Sequence, residues 1–241
     1  MTESTGDPAP LIWTQPPPPE RQRFLGRQEI VAAAIDLADD AGSAALTMKA
    51  VAARLGPYSP MALYRYVSNK DGLIDLMLDA VTAEIPVRAR PDGEWRAALR
   101  RLALDTRAMI KRHPWYAVLI HTRPPVGPHL MRRLEYMLTV LVGQGATVDA
   151  AMTYAALIDR HILGTGLHEA EEARMNRRHG LDDPARLIAA LRATLELAEQ
   201  GRHPLLARWL ADPAGATPDE QFDLGLEFLL DGIAGRLPEL G

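Results

Sequence analysis

The chain contains no cysteine, which excludes disulfide frameworks, thiolate nucleophiles and cysteine-based zinc sites. It has no basic excess. The formal net charge of -4 does not by itself point to nucleic acid. No apolar run is long enough to span a bilayer, and the N-terminus lacks the basic-then-apolar pattern of a secretory signal, so a cytoplasmic protein without a membrane partner is expected. The seven histidines form no His-x-x-x-His or Glu-x-x-His pair on one helix face, so no metal site and no cofactor is expected. Gly143-Gln-Gly145 and Gly164-Thr-Gly166 lack the preceding strand that a phosphate-binding loop needs, and they read as turn or packing glycines. No Gly-x-Ser-x-Gly occurs and no nucleophile comes with an evident base, so an enzyme is not expected.

What remains, beyond a Pro-rich N-terminal stretch and short connections, has helical spacing. The 241 residues, 47% hydrophobic and 24% charged, suffice for one large or two modest domains. Residues 1–22, with Pro8, Pro10 and Pro16 to Pro19, read as a disordered or polyproline arm; Arg21, Arg23 and Arg27 then suit either a minor-groove reach or a solvated helix start. A first helix is expected over Arg27 to Ala41, with Ile30, Ala34, Leu37, Ala38 and Ala41 inward and Gly42 closing it. Ser68 or Asn69 caps a longer helix carrying Leu73, Leu76, Met77, Ala80, Val81 and Ile85 to Pro86, with Asp71, Asp75 and Asp79 as a solvated face. Residues 87–93 read as a linker at a domain boundary.

Beyond it, helical spacing marks Trp95 to Ile110, a short apolar piece from Trp115 to Ile120, and Leu130 to Leu141. A long helix follows from Val148 to about Glu171. Glu172 to Asp183 is expected to be a mobile loop, Leu187 to Ala198 a helix, Gly201 to Pro218 a separating stretch, and Phe222 to Leu237 the last helix. No strand signal or internal repeat stands out, so the fold class is all-α.

The most informative stretch is Thr47 to Lys70. Thr47 can cap a short helix whose inward Val51 and Leu55 are four apart, and Gly56 ends it. Ala52 permits a close helix crossing. Ser59 is a good N-cap and Pro60 suits the first position of a second helix, where Leu63 and Val67 point inward. Ser59, Met61, Ala62, Tyr64, Arg65 and Tyr66 are left on or near the outer surface, as a major-groove helix requires. Over residues 21–70 seven basic side chains face four acidic ones, a modest positive footprint. The plainer reading of this stretch is an αα-hairpin used for packing.

Leu55-Gly56, then Ser59-Pro60-Met61-Ala62-Leu63-Tyr64-Arg65-Tyr66-Val67, then Asn69-Lys70-Asp71-Gly72-Leu73 resemble the TetR family of transcriptional repressors over roughly residues 24 to 85. The turn Gly56-Pro57-Tyr58-Ser59 is one residue longer than the family's usual turn, and Tyr66 stands where the family usually has His. The resemblance implies a homodimer with a helix-turn-helix DNA-binding head (23–86), a helical body holding an effector pocket (87–241) and a four-helix dimer interface. It also implies an inverted-repeat operator in double-stranded DNA and release by a small-molecule effector. Thr47, Lys49, Tyr64, Tyr66 and Lys70 are expected mainly on phosphates, and Ser59, Met61, Ala62 and Arg65 on base edges.

On the long helix, Tyr154, Ile158, His161, Thr165 and His168 form a stripe of apolar bulk with hydrogen-bonding tips, which suits a pocket wall or an ordinary packed face. With Trp115, Tyr116 and Met137 they are the expected effector residues. Leu226, Leu229, Leu230 and Ile233 of the last helix are the expected dimer contacts. The alternative function is a helical small-molecule carrier or enzyme in which the helix pair is scaffold.

Overall fold

The computed structural model describes residues 25–56, 58–89, 93–124, 126–212 and 215–238. The Pro-rich arm, Arg21, Arg23 and Pro57 lie outside the described residues. Eleven α-helices and no strand occur among those described. The first four are α1 (Arg27–Ala41), α2 (Met48–Leu55), α3 (Pro60–Val67) and α4 (Lys70–Thr82).

Local chemistry sets their ends. Thr47 Oγ1 accepts the Ala50 N–H at 3.1 Å and Asn69 Oδ1 accepts that of Gly72 at 2.7 Å, satisfying first-turn donors that the helices leave free. Asn69, not Ser68, is therefore the cap of α4. Ser59 occupies the N-cap position of α3 without a side-chain cap bond, and Pro60 supplies the start. Ile30, Ala34, Val51, Leu63, Val67, Leu73 and Met77 are all fully buried and bind the four helices together. Ala41 is exposed rather than inward, because Gly42 turns the chain away at φ 78. Helix α4 stops at Thr82, and the tighter i to i+3 bonds of Glu84 and Ile85 then carry buried Ile85 up to Pro86.

The remaining helices are α5 (Trp95–Arg112), α6 (Trp115–Leu119), α7 (Pro128–Val142), α8 (Val148–His179), α9 (Pro184–Gln200), α10 (Pro204–Ala211) and α11 (Pro218–Ala234). A buried network ties the middle of this body: Arg133 of α7 donates from Nε to Thr106 Oγ1 at 3.1 Å and from Nη2 to Asp159 at 2.7 Å, joining α5, α7 and α8. Burial alone works against the Arg133 charge, but neighbouring Asp159 more than offsets it and raises the guanidinium pKa.

Two expectations fail here. Glu172 to Asp183 is not a loop: α8 continues to His179 and closes on Gly180 at φ 68. The segment is polar on every side, yet Glu, Ala, Arg and Met are good helix formers and nothing breaks the run before Gly180. The stretch Gly201 to Pro218 contains α10, because Pro204 opens a helix at its first turn instead of interrupting one.

Candidate DNA interface and effector cavity

Thr47, Lys49, Ser59, Met61, Tyr64, Arg65 and Lys70 are exposed, and Ala62 and Tyr66 are half-buried against the core. Met61, in the first turn of α3, is 73% exposed, an apolar side chain that none of the described residues covers. Four residues separate α2 from α3. At the far end of α3, the Asn69 N–H meets Val67 O at 2.6 Å across Ser68, whose φ of 60 makes this a strained γ-turn. Only Ser68 and Asn69 lie between α3 and α4, so the two helices are short-coupled. Arg27 Nε, at the start of α1, donates to Tyr66 O at 3.0 Å and fixes that corner.

The carboxylates of α4 overturn the expected solvated face. Asp71 is exposed, but Asp75 and Asp79 are 6% and 4% exposed. Arg123, after α6, grips Asp75 with both Nε–Oδ1 and Nη2–Oδ2 at 2.9 Å and reaches Asp71 with Nη1 at 3.0 Å. Asp79 Oδ1 accepts the N–H groups of His129 at 2.8 Å and Leu130 at 3.2 Å, while His129 Nδ1 meets Oδ2 at 2.7 Å. A side chain of α4 therefore caps α7, whose own N-cap residue, Gly127, has no side chain to do so.

A third junction uses α1. Asp39 Oδ1 accepts the indole N–H of Trp115 at 2.6 Å and faces His113 Nδ1 at 2.8 Å, and His113 Nε2 faces Glu84 Oε1 at 3.1 Å. A proton on each ring nitrogen would satisfy both carboxylates. Arg112 also holds Glu84, with Nη2 at 2.7 Å.

The expected effector residues do not line one shared hollow. Trp115, Tyr116, Met137 and Ile158 are each at most 3% exposed. Tyr116 Oη pairs with Thr82 Oγ1 at 3.2 Å, and burial raises its phenol pKa. His161 stacks on Phe222 at 4.8 Å and meets Phe222 O at 2.9 Å, so it docks α11 on α8. Thr165 bonds back to His161 O at 2.7 Å, Tyr154 is half-buried and His168 is exposed.

Two adjoining cavities lie beside that stripe. The smaller, about 210 Å³, is bounded by Arg107, Ile110 and Lys111 of α5 and by Ile162, Gly166, Glu169 and Ala173 of α8. The larger, about 560 Å³, runs from Trp115 and Val118 to residues 38–44 at the end of α1. Pro114, Ala170 and Arg177 line both, and of the eight expected effector residues only Trp115 lines either. Reading large side chains as a wall misplaced the hollow, which forms where residues are small: Gly166, Ala170 and Ala173 follow one another at helical spacing. Gly166 is itself fixed by packing, since a Cβ there would lie 2.7 Å from Ile110 Cγ2.

The expected dimer contacts are also corrected. Leu226, Leu230 and Ile233 are at most 3% exposed and belong to the subunit's own core, and Leu229 is half-buried. The outward apolar residues of α11 are Leu224 and Phe228, 52% and 66% exposed. Outward Val148, Met152 and Leu157 occur on α8, and α9 and α10 add Leu197, Leu205 and Trp209. Among the described residues, no helix is long and apolar enough to cross a membrane.

Residues 30–77 match the family described as bacterial regulatory proteins, tetR family, and residues 86–237 match the tetracyclin repressor-like C-terminal domain. The chain is 35% identical over 240 residues to the HTH-type transcriptional repressor DrrR1 of Streptomyces coeruleorubidus, covering 96% of this chain and 87% of that one. It is 29% identical over 211 residues to the class A tetracycline repressor from transposon 1721 of Escherichia coli, covering 86% and 89%. The solved structure of the Streptomyces coelicolor TetR family protein ActR in complex with actinorhodin superposes with a TM-score of 0.75 at 24% identity, covering 91% of this chain and all of that one. A helix-turn-helix joined by its fourth helix to an all-helical body, with matches to both family regions and a relative aligned along nearly the whole chain, means that this protein belongs to the TetR family of transcriptional regulators.

Proposed function

We propose that the protein is a cytoplasmic repressor that binds an inverted-repeat operator as a two-fold homodimer and is released when a small organic effector occupies its body. In this reading residues 23–86 are the DNA-binding domain and 87–241 the effector and dimerisation domain. Thr47, Lys49, Tyr64, Tyr66 and Lys70 meet mainly phosphates, whereas Ser59, Met61, Ala62 and Arg65 meet base edges. The name of the relative DrrR1 supports repression, and actinorhodin in ActR supports an organic effector.

The observation that carries the reading is the attachment of α4 to the body at both of its buried carboxylates. The two cavities are the effector space. Pro114 borders both, and its neighbours His113 and Trp115 hold Asp39 of α1, so a ligand that displaces this segment acts on the head. A hundredfold loss of operator affinity needs a preference of about 2.8 kcal/mol for the released arrangement, within the usual range of allosteric coupling. The dimer buries the outward apolar side chains of α8 and α11, including Leu224 and Phe228, which are larger than an isolated subunit leaves in water without reason.

The test begins with binding to DNA adjoining the protein's own gene, followed by effector titration with and without that operator. Linkage requires both ligands to weaken each other by one factor. Equal effector affinities would end the release mechanism, and absence of sequence-selective DNA binding would end the regulatory reading itself.

A further inference from the structure

The smaller cavity has a polar asymmetry that packing leaves unresolved. Arg107 lines it and is only 5% exposed. Its Nη2 carries the local partners: Glu169 Oε1 and Asp219 Oδ1, each at 2.7 Å, and Pro218 O at 3.4 Å. The guanidinium lies over the Phe222 ring, 4.4 Å from its centroid. Nη1 is buried and, among the described residues, has no hydrogen-bond partner. A buried charged donor is rarely left this way, because its desolvation is not offset by a bond.

Cations outnumber carboxylates on the rest of the lining. Lys111 and Arg177 stand on it as well; Lys111 pairs with Asp219, and Arg177 has no ion pair among the described residues. Glu169 is the lining carboxylate, and Arg107 already engages it. Between these charges the walls are apolar, with Ile110, Ile162 and Pro114. A cationic or purely hydrocarbon ligand would leave Nη1 as it stands, whereas an acceptor that reaches it from the cavity would satisfy it.

We propose that this cavity binds an organic anion with an apolar body, whose carboxylate or ionised phenol oxygen accepts the hydrogen bond that Arg107 Nη1 lacks. The inference rests on the reading of the body as an effector domain and specifies the class of effector. Arg107 is the anchoring donor, Lys111 and Arg177 add favourable charge, and the apolar walls take the ring or chain.

The experiment is calorimetric titration of the full chain with a panel of bicyclic aromatic acids led by 2-naphthoate, each paired with its uncharged amide. The acids are expected to bind at least about tenfold more tightly than their amides, equivalent to about 1.4 kcal/mol. Arg107→Gln is expected to abolish that preference, the acids losing at least about tenfold more affinity than the amides, whose carbonyl also accepts from Nη1 but carries no charge. Because loss of Arg107 also strips Glu169 and Asp219 of a partner, Arg177→Gln is tested beside it and is expected to reduce the acid preference severalfold with stability unaltered. If no acid in the panel binds better than its amide, or if the preference persists in folded Arg107→Gln, the proposal is overturned. Operator binding, measured on the same preparations, is independent of this result: an operator-binding protein with no acid preference refutes the anion site and leaves the regulator intact.

Discussion

Gly127 and Asp79 stand so close that a Cβ on Gly127 would lie 2.3 Å from Asp79 Oδ1 and 3.0 Å from Asp79 Cβ. The glycine is needed for that approach, not for its own backbone angles, since its φ of 172 is open to any residue. It lets a carboxylate from α4 enter the first turn of α7, and thereby fastens the helix that carries the DNA-reading pair to the body.

Asp79→Ala should destabilise the protein by about 1–2 kcal/mol, the usual effect of losing an N-cap. Gly127→Ala should do comparable damage by expelling the carboxylate. In the double variant the second change costs less than it does alone, because Oδ1 and Cγ are gone and only the Cβ at position 79, 3.0 Å away, still has to yield. Urea denaturation of all four proteins measures this; strictly additive losses would show that the two residues act separately.

Asp75 and Asp71 share Arg123 but differ in burial. Asp75→Ala removes two charge-assisted bonds and should lower stability by about 2 kcal/mol, whereas Asp71→Ala, at an exposed pair, should stay within about 1 kcal/mol. Equal shifts of the denaturation midpoint would contradict the burial argument.

Lys70→Ala leaves the Asn69 cap in place and removes one proposed phosphate contact. Operator affinity should fall similarly at all sites, and the slope of log K against log salt should flatten by about 0.9. An unchanged slope takes Lys70 out of the contact set.

Phe228→Asp should weaken the proposed dimer by at least about tenfold, or about 1.4 kcal/mol, with the chain still folded. Leu226→Asp should instead unfold the subunit, because Leu226 is 0% exposed within it. Sedimentation and circular dichroism separate the two outcomes; a Phe228→Asp protein that remains fully dimeric moves the interface elsewhere.

Acid should loosen the α5–α11 contact. The Lys111 ammonium, and then Arg107, hold Asp219 at a pKa of about 2, below its ordinary 3.8. A carboxyl depressed on folding contributes stability above its unfolded pKa and loses it as pH falls through the folded one. Stability supplied by Asp219 is therefore complete above 3.8 and fades towards about 2, and Asp219→Asn should flatten the stability curve across that window. The group is exposed, so the effect is small and should shrink further in high salt.

Helix periodicity and most helix ends were local, and sequence alone determined them; the start of α7, capped by Asp79 of α4, was not among these. Val51, Leu63 and Val67 had to face inward wherever their helices went, and Thr47 and Gly56 had to bound α2, since both act on their own backbone. The all-α class and the helix-turn-helix motif followed from those residues. A polar helix such as the end of α8 was harder to read, because its propensity carries no apolar stripe to mark it.

Tertiary structure decided everything that depends on which face meets which neighbour. Asp75 and Asp79 have the spacing of a solvated row, and only the arrival of Arg123 and the open end of α7 makes them buried fasteners. Leu226, Leu230 and Ile233 form an apolar stripe whether it meets the same subunit or another; packing against α8 settled that it meets its own. The cavities are likewise a property of packing, formed where small residues of one helix oppose long side chains of another that do not fill the gap. Burial and partnership are pairwise quantities across distant parts of the chain, and a one-dimensional pattern records only one member of each pair.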